Sequence, residues 1–320
     1  MYILVTGSAG FIGFNFCQAI LKKDYPKLKI IGIDNLNNYY SKKLKLERLK
    51  VLKSYKNFNF INIDITNNSK LEIIFKKFKF KEVYNFAAQA GVRYSTINPM
   101  AYIKSNVLGF SNLIDLSKKY NIKKFFYASS SSVYGDTKDF PLKEKVNLNP
   151  KNLYAKTKKY NEEIAESFYL NYNFKSVGLR FFTIFGEWGR PDMFLYKLLI
   201  SSLKKSKFYL YNNGNHYRDF TYINDVVKLL LKLRKKSITK NDIYNICSNN
   251  PISLKKIILL IKKDIKGSKI INSKLQPEDI LKTHGHKKKI LKKLKIKKLS
   301  NFENSLRNTV SWFNKNKSLF

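Results

Sequence analysis

Apolar and polar positions along the chain switch between a period of two and a period near 3.6. Tyr2 to Thr6 is a short apolar, β-branched run that predicts a strand. It breaks into Gly7, Gly10 and Gly13, and an apolar helical pattern follows to about Lys23. Lys29 to Ile33 predicts a second strand ending at Asp34, Ser41 to Ser54 a basic helix, and Phe58 to Ile63 a third strand. Ser69 to Phe78 reads as a helix and Val83 to Ala87 as a strand. A long helix is predicted from Pro99 to Tyr120, then a strand from Lys124 to Ala128, a helix from Tyr154 to Tyr172 and a strand from Ser176 to Phe181. Strands separated by helices build right-handed crossovers and a parallel sheet, so the expected fold is α/β with a doubly wound parallel sheet.

After Phe181 the alternation fails. The pattern predicts a helix after Pro191, a short strand near Phe208 to Tyr211, a helix to about Arg234, a strand at Ile243 to Ile246, and helices from there to the end. Residues 1–181 are therefore expected to form a Rossmann-type nucleotide-binding domain to which strand 243–246 returns. Residues 182–320 are expected to form mainly a smaller, mixed α/β substrate lobe.

The chemistry concentrates at the strand ends. A glycine-rich turn between a strand and a helix lets backbone amides approach a pyrophosphate at the helix N-terminus, where the dipole favours anions. Asp34, about twenty residues past the last glycine, would accept from the adenosine ribose hydroxyls and repel a 2′-phosphate, which selects NAD over NADP. Asp64 and Ile65, closing the third strand, could meet the adenine edge. Gly7, Asp34, Asp64, Ala87 and Ser130 all fall at carboxyl ends of predicted strands, the edge where such folds bind ligands. Four consecutive serines follow the apolar run Phe125 to Ala128, and Tyr154 and Lys158 come about two dozen residues later. Residues four apart share a helix face, so a phenol and an ammonium would stand side by side there. A positive neighbour lowers a phenol from its usual value near ~10, which would make Tyr154 a base near neutral pH.

Composition changes this picture little. The 44% hydrophobic content belongs to a folded globule. The net charge of +40 comes mostly from lysine, with only seven of the 62 basic residues arginine, and the lysines spread over nearly every segment beside many Asn, Ile, Tyr and Phe. That pattern reads as AT-rich codon bias at permissive surface positions. The densest stretch, Lys282 to Lys298, holds nine lysines and no acid but no stacking aromatics. Only weak, salt-sensitive association with nucleic acid is expected of it. Cys17 and Cys247 lie far apart inside predicted core elements, so no disulfide is expected. Met1 leads almost directly into a strand without a basic leader, and no uncharged stretch nears the ~20 residues that span a bilayer, so the expectation is a cytoplasmic protein. His216, His284 and His286 form no ligand set, so no metal is expected, and the last two are expected in a solvated loop.

The segments G-S-A-G-F-I-G, D-N-L-N-N-Y-Y, A-A-Q-A-G-V-R-Y-S, S-S-S-S-V-Y-G, Y-A-K-T-K, L-R-F-F-T-I-F-G-E-W-G-R-P-D-M and R-D-F-T-Y-I-N-D together resemble the extended short-chain dehydrogenase/reductases. Within them they are most similar to the UDP-glucuronate 4-epimerases. The resemblance covers essentially the whole chain, strongly to about Asp225 and more thinly beyond, where Q-P-E-D at 276–279 is the landmark. It departs at Glu187, where proline is usual, at Asn85, where histidine is usual, and at Glu278, where glycine is usual.

Residue by residue, the resemblance implies Tyr154 as base and acid, Lys158 on the nicotinamide ribose, and Ser130 on the reacting hydroxyl. It implies NAD held by Gly7, Gly10, Phe11, Ile12, Gly13, Asp34, Asn35, Asp64, Ile65, Ala87, Ala88 and Gln89, with Asn106 fixing the local backbone. It puts Gln89, Arg93, Ser130, Ser131, Ser132, Thr183, Arg190, Met193, Arg218 and Asp279 around a UDP-sugar, with Trp188 to Met193 as a flap, and it implies a homodimer. Arg93, Arg180, Arg190 and Arg218, arginines kept in a lysine-rich chain, suggest planar, bidentate recognition of phosphate or carboxylate. Oxidising carbon 4 of UDP-glucuronate makes a β-keto acid, so Ser130, Ser131, Thr183 and Arg190 are expected to hold its carboxylate in an unreactive orientation. A plainer role for Arg190 is to pair with Asp192 and shape the flap. UDP-glucose 4-epimerase is the nearest rival. Ser131 and Ser132 occupy the positions where 4,6-dehydratases carry Asp and Glu, and Ser132 also argues against decarboxylases. A non-catalytic NAD- or RNA-binding role is set against the complete Ser130, Tyr154 and Lys158.

Overall fold

The computed structural model describes residues 1–23, 28–276 and 280–320. The chain begins with β1 (Tyr2–Thr6), α1 (Phe11–Leu21), β2 (Lys29–Asp34), α2 (Lys42–Lys53), β3 (Phe58–Asn62), α3 (Asn68–Phe78) and β4 (Glu82–Asn85). Short helices α4 (Tyr94–Ile97) and α5 (Pro99–Tyr102) lead through a π-helical segment, Ile103–Leu108, into α6 (Gly109–Lys119), β5 (Lys124–Ser130), α7 (Leu153–Tyr172) and β6 (Ser176–Phe181). Then come β7 (Thr183–Phe185), α8 (Phe194–Leu203), β8 (Lys207–Tyr211), β9 (Tyr217–Tyr222), α9 (Ile223–Arg234) and β10 (Asp242–Ile246). The chain ends with β11 (Pro251–Ser253), α10 (Leu254–Leu260), β12 (Lys269–Ser273), α11 (Lys288–Leu294) and α12 (Phe302–Lys315).

Seven parallel strands form the main sheet in the order β10-β6-β5-β4-β1-β2-β3. Alternation along β1 assigns its faces. Ile3 and Val5 pack with Phe14, Phe16 and Cys17 of α1, in a core that continues to Leu49 of α2 and Leu229 of α9. Leu4 packs on the other side, in the core of Leu71 and Phe75 of α3 with Phe110 and Leu113 of α6. Each such side chain contributes about 1.5–3 kcal/mol by leaving water. Chain order reverses at β1, whose neighbours are β4 and β2, and a crevice opens there at the strands' carboxyl ends. Both cysteines are buried free thiols. Among the described residues no helix is long and apolar enough to cross a membrane.

Three expectations are corrected. The single helix from Pro99 to Tyr120 is broken by the π segment, whose wider turn carries Asn106 inward to near-complete burial. Two strands stand where only helices were expected after Ile246. β11 pairs antiparallel with β9, and β12 pairs parallel with β8, as short edge pieces whose partners are remote in sequence. His284 and His286 are half-buried rather than solvated. Leu142 N donates to His284 O at 2.8 Å, His286 N donates to Leu142 O at 2.8 Å, and the His284 ring stacks on Phe140.

Candidate active site

A cleft of about 1060 Å³ runs along the carboxyl ends of the strands and on between the main sheet and the β8 region. At one end β1 turns into α1 through the glycines. Gly7 has φ +67°, and a Cβ on Gly13 would lie 2.2 Å from Gly7 O, so the turn admits no side chain there. Phe11 and Ile12 begin the helix whose N-terminus faces the cleft. Asp34 closes β2, with Ala9 N donating to its Oδ2 at 3.2 Å and Leu36 N to its Oδ1 at 2.9 Å. The Asn35 amide donates to Asp64 Oδ2 at 2.7 Å, which ties the ends of β2 and β3 together. Ile65 packs where a Cβ on Gly109 would meet it at 2.5 Å, so that glycine lets α6 approach. These features suit a dinucleotide: amides at a helix end for phosphates, a carboxylate for ribose hydroxyls, and an apolar edge at Ile65 for a base.

The middle of the cleft is formed by Ala87, Ala88 and Gln89 after β4. Asn106 does not line the cleft. It braces the wall from behind, accepting from Gln89 N at 2.8 Å and donating to Gln89 O and to Thr157 Oγ1, both at 3.0 Å. Asn85, the departure from histidine, accepts the Thr6 hydroxyl at 2.7 Å and locks β4 to β1. Glu187, the departure from proline, accepts the Tyr222 hydroxyl at 2.6 Å.

At the far end Ser130 closes β5 and caps a short 3-10 turn, its Oγ accepting from Ser132 N at 3.1 Å. Asn152 caps α7 through Ala155 N at 2.9 Å and so fixes where the helix presents Tyr154. Ser130, Ser131, Ser132, Tyr154 and Lys158 line the cleft together with Thr183, Met193, Arg93, Arg190 and Arg218. Lys158 Nζ donates to Ala128 O at 2.8 Å. Asp279 lies outside the described residues.

The electrostatics differ from the sequence expectation. Burial pushes the Tyr154 phenol up, while the Ser130 hydroxyl and the charge of Arg190 pull the other way. Lys158 is itself pushed down to about 7 by burial, with the Glu162 charge opposing. The i,i+4 spacing gave the shared face correctly, but not the desolvation that dominates both groups.

Arg180 also departs from expectation. It faces inward and forms a two-pronged pair with Glu162 at 2.9 and 2.7 Å, so it is not a ligand clamp. Arg190 is paired with Asp192, as the plainer role had it. Arg93 lies over the Tyr211 ring, and Arg218 Nη1 donates to the carbonyls of Tyr217 and Leu281. The start of the expected flap is anchored. Trp188 packs on Phe14 and Trp312, and Arg48 donates to Trp188 O at 2.5 Å.

Sequence reading missed Glu162, Tyr39, Lys45 and Arg48. Glu162 continues the four-residue spacing of Tyr154 and Lys158, so its position was recoverable. Lys45 and Arg48 are buried at the same helical spacing as Leu49 and Leu52, on the inner face of a helix that reads as merely basic. Arg48 also donates to Ala9 O at 2.8 Å, joining the glycine turn to the 188–189 segment. Among the described residues no group of His, Cys, Asp and Glu side chains converges as a metal site.

Residues 3–247 match the model of the NAD dependent epimerase/dehydratase family. A UDP-glucuronate 4-epimerase of Thermodesulfobacterium geofontis is 35% identical over 98% of this chain and 97% of its own. The crystal structure of UDP-glucuronic acid 4-epimerase from Bacillus cereus, in complex with UDP-glucuronic acid and NAD, superposes with a TM-score of 0.90 at 29% identity, over 98% of this chain and 99% of that one. A UDP-glucose 4-epimerase from Thermotoga maritima with UDP-glucose superposes at 0.88 and 27% identity, over 98% and 99%.

Proposed function

Because this chain belongs to the NAD-dependent epimerase/dehydratase family, we propose that it inverts carbon 4 of a UDP-sugar through a 4-keto intermediate, converting UDP-glucuronate to UDP-galacturonate. The observation that carries this reading is the single cleft that joins the glycine turn and Asp34 to Ser130, Tyr154, Lys158 and Arg190. The fold alone does not choose between sugars, since the acidic- and neutral-sugar enzymes superpose almost equally well. The serine run and Arg190 favour the acidic one.

When bound, NAD supplies the hydride acceptor and its return, together with a nicotinamide charge of the sign that lowers a phenol. Gly7, Gly10, Gly13, Asp34, Asp64 and Lys158 would hold it. Tyr154 Oη takes the proton of the carbon-4 hydroxyl and later gives it back, a general acid–base step worth roughly 10² to 10⁴ in rate. Ser130, which lines the same cleft as Tyr154, aligns that hydroxyl. The 4-keto sugar, tethered by its UDP, turns over in the cleft and is reduced on its other face. Ser130, Ser131, Thr183 and Arg190 hold the carboxylate away from the geometry that loses carbon dioxide.

In this reading residues 182–320 mainly grip the UDP-sugar, and the chain is a cytoplasmic homodimer. Met100 and Leu108, in the stretch 99–120, with Leu170 and Tyr172 of α7, leave apolar side chains exposed on the two long segments through which such a dimer would pair, and sedimentation should give a dimer mass. No specific nucleic-acid role is assigned to the lysine run. Lys287 donates to Ser248 O and Lys289 to Asp242, so part of the run serves the fold. Parallel incubation with UDP-glucuronate and UDP-glucose, followed by sugar analysis, tests the substrate choice: conversion of UDP-glucose alone would move the assignment to a neutral-sugar epimerase.

A further inference from the structure

Arg190 meets the cleft with its best face already taken. Its Nε donates to Asp192 Oδ1 at 3.0 Å and its Nη2 to Oδ2 at 2.5 Å, the two-pronged geometry that a guanidinium makes with any carboxylate. Asp192 Oδ2 also accepts the Tyr39 hydroxyl at 3.1 Å. Tyr39 comes from the loop that follows Asp34. Space for its hydroxyl exists because residue 91 is glycine, where a Cβ would stand 2.3 Å from Tyr39 Oη. All four residues line the cleft, and the side chains of Arg190 and Asp192 are only 20% and 23% exposed, so water screens their charges incompletely.

We propose that Asp192 is a resident carboxylate that competes with the substrate's own carboxylate for Arg190, and so sets the discrimination between acidic and neutral UDP-sugars. This rests on the UDP-glucuronate reading. A substrate carboxylate reaches the two-pronged face only if Asp192 yields it, with Tyr39 as the remaining donor for the displaced oxygen. Otherwise it takes the remaining N–H groups of Arg190 and stands near a second negative charge. Asp192 remains charged while it competes: burial pushes its carboxyl up, but the Arg190 charge and the hydrogen bonds from Arg190 and Tyr39 outweigh this and hold it below the usual range. The pair thus lets the site tolerate a neutral sugar without leaving a buried arginine unpaired, and it weakens the grip on an acidic one.

The test is Asp192→Asn in the NAD-containing protein, with KM measured for UDP-glucuronate and UDP-glucose and inhibition measured with UDP. Asparagine keeps the shape and can still accept from Tyr39, but it removes the competing charge. KM for UDP-glucuronate should fall about three- to tenfold, as expected for deleting one like charge beside a part-buried anion site, with UDP-glucose and UDP moving by less than about twofold. A KM for UDP-glucuronate that stays put or rises, or sugars that shift together, overturns the proposal and leaves Asp192 as a support for Arg190. NAD content and melting temperature identify a folded variant, and Asp192→Ser makes the same measurement should Asn fail to fold. Failure of the substrate reading shows in the wild type, as absent conversion of UDP-glucuronate; failure of the competitor idea shows only in the variants.

Discussion

The ion pair beneath the catalytic face offers a sharp stability test. Glu162 sits one turn beyond Lys158 on α7, nearly buried, and accepts Arg180 Nε at 2.9 Å and Nη2 at 2.7 Å, with the Ser129 hydroxyl on Oε1. Arg180 lies opposite Ser129 in the β5–β6 register, so the pair clamps the strand end that carries Ser130. Glu162→Gln keeps the volume but leaves the Arg180 charge buried without its counter-ion and turns an amide N–H toward a guanidinium. Breaking one side of a buried pair costs about 3–5 kcal/mol. Tyr134 Oη and Glu144 O still partner Arg180 Nη1, which places the expectation at the lower end. At about 2–4 °C per kcal/mol as an upper range for a chain of this size, the melting temperature should drop by roughly 5–10 °C. Scanning calorimetry at pH 7 with and without NAD reads this directly. A drop below about 2 °C would mean that the pair only breaks even against its desolvation, and the clamp argument would fall.

Further outcomes follow from the same geometry. Tyr154→Phe should abolish epimerisation while leaving NAD binding nearly intact, and retention of more than about a tenth of wild-type turnover would require another base. NAD should bind far more tightly than NADP, because the Asp34 carboxylate stands at the end of β2, buried and fixed by Ala9 N and Leu36 N; equal affinities in a titration would refute that placement. Lys158 gives a pH signature. Its folded value, pushed down to about 7, lies below its ordinary value of about 10.5, so the unfolded chain binds the extra proton between them and the stability contributed by this group rises with pH across that window. Lys158→Met should flatten the rise in the cofactor-free protein, and identical pH slopes for both proteins would show that Lys158 is not buried as described.

What could be read in advance was what local pattern encodes. The crossovers, the glycine turn, Asp34 and the shared face of Tyr154 and Lys158 depend on periods of two and 3.6 and on spacing within one unit, and they sit where expected. What could not be read depends on partners remote in sequence. Arg180 looks like a ligand arginine until β6 lies beside β5 and α7 supplies Glu162. Arg48 looks like one more surface charge until the glycine turn and residues 188–189 close over it. The phenol shift changes direction because spacing reports neighbours and not the water they displace. The π turn at Ile103–Leu108 follows from the bonds that Asn106 makes to Gln89 and Thr157, which no helical pattern contains.

The central claim is that carbon 4 is oxidised and then reduced within one cleft by a cofactor that stays bound. Incubating the protein with UDP-glucuronate deuterated at carbon 4, without added reductant, tests it most directly. The account predicts UDP-galacturonate that retains the deuterium at carbon 4, with no reduced nucleotide accumulating in solution. Deuterium lost to water, or no change at carbon 4 after prolonged incubation with NAD, would contradict it.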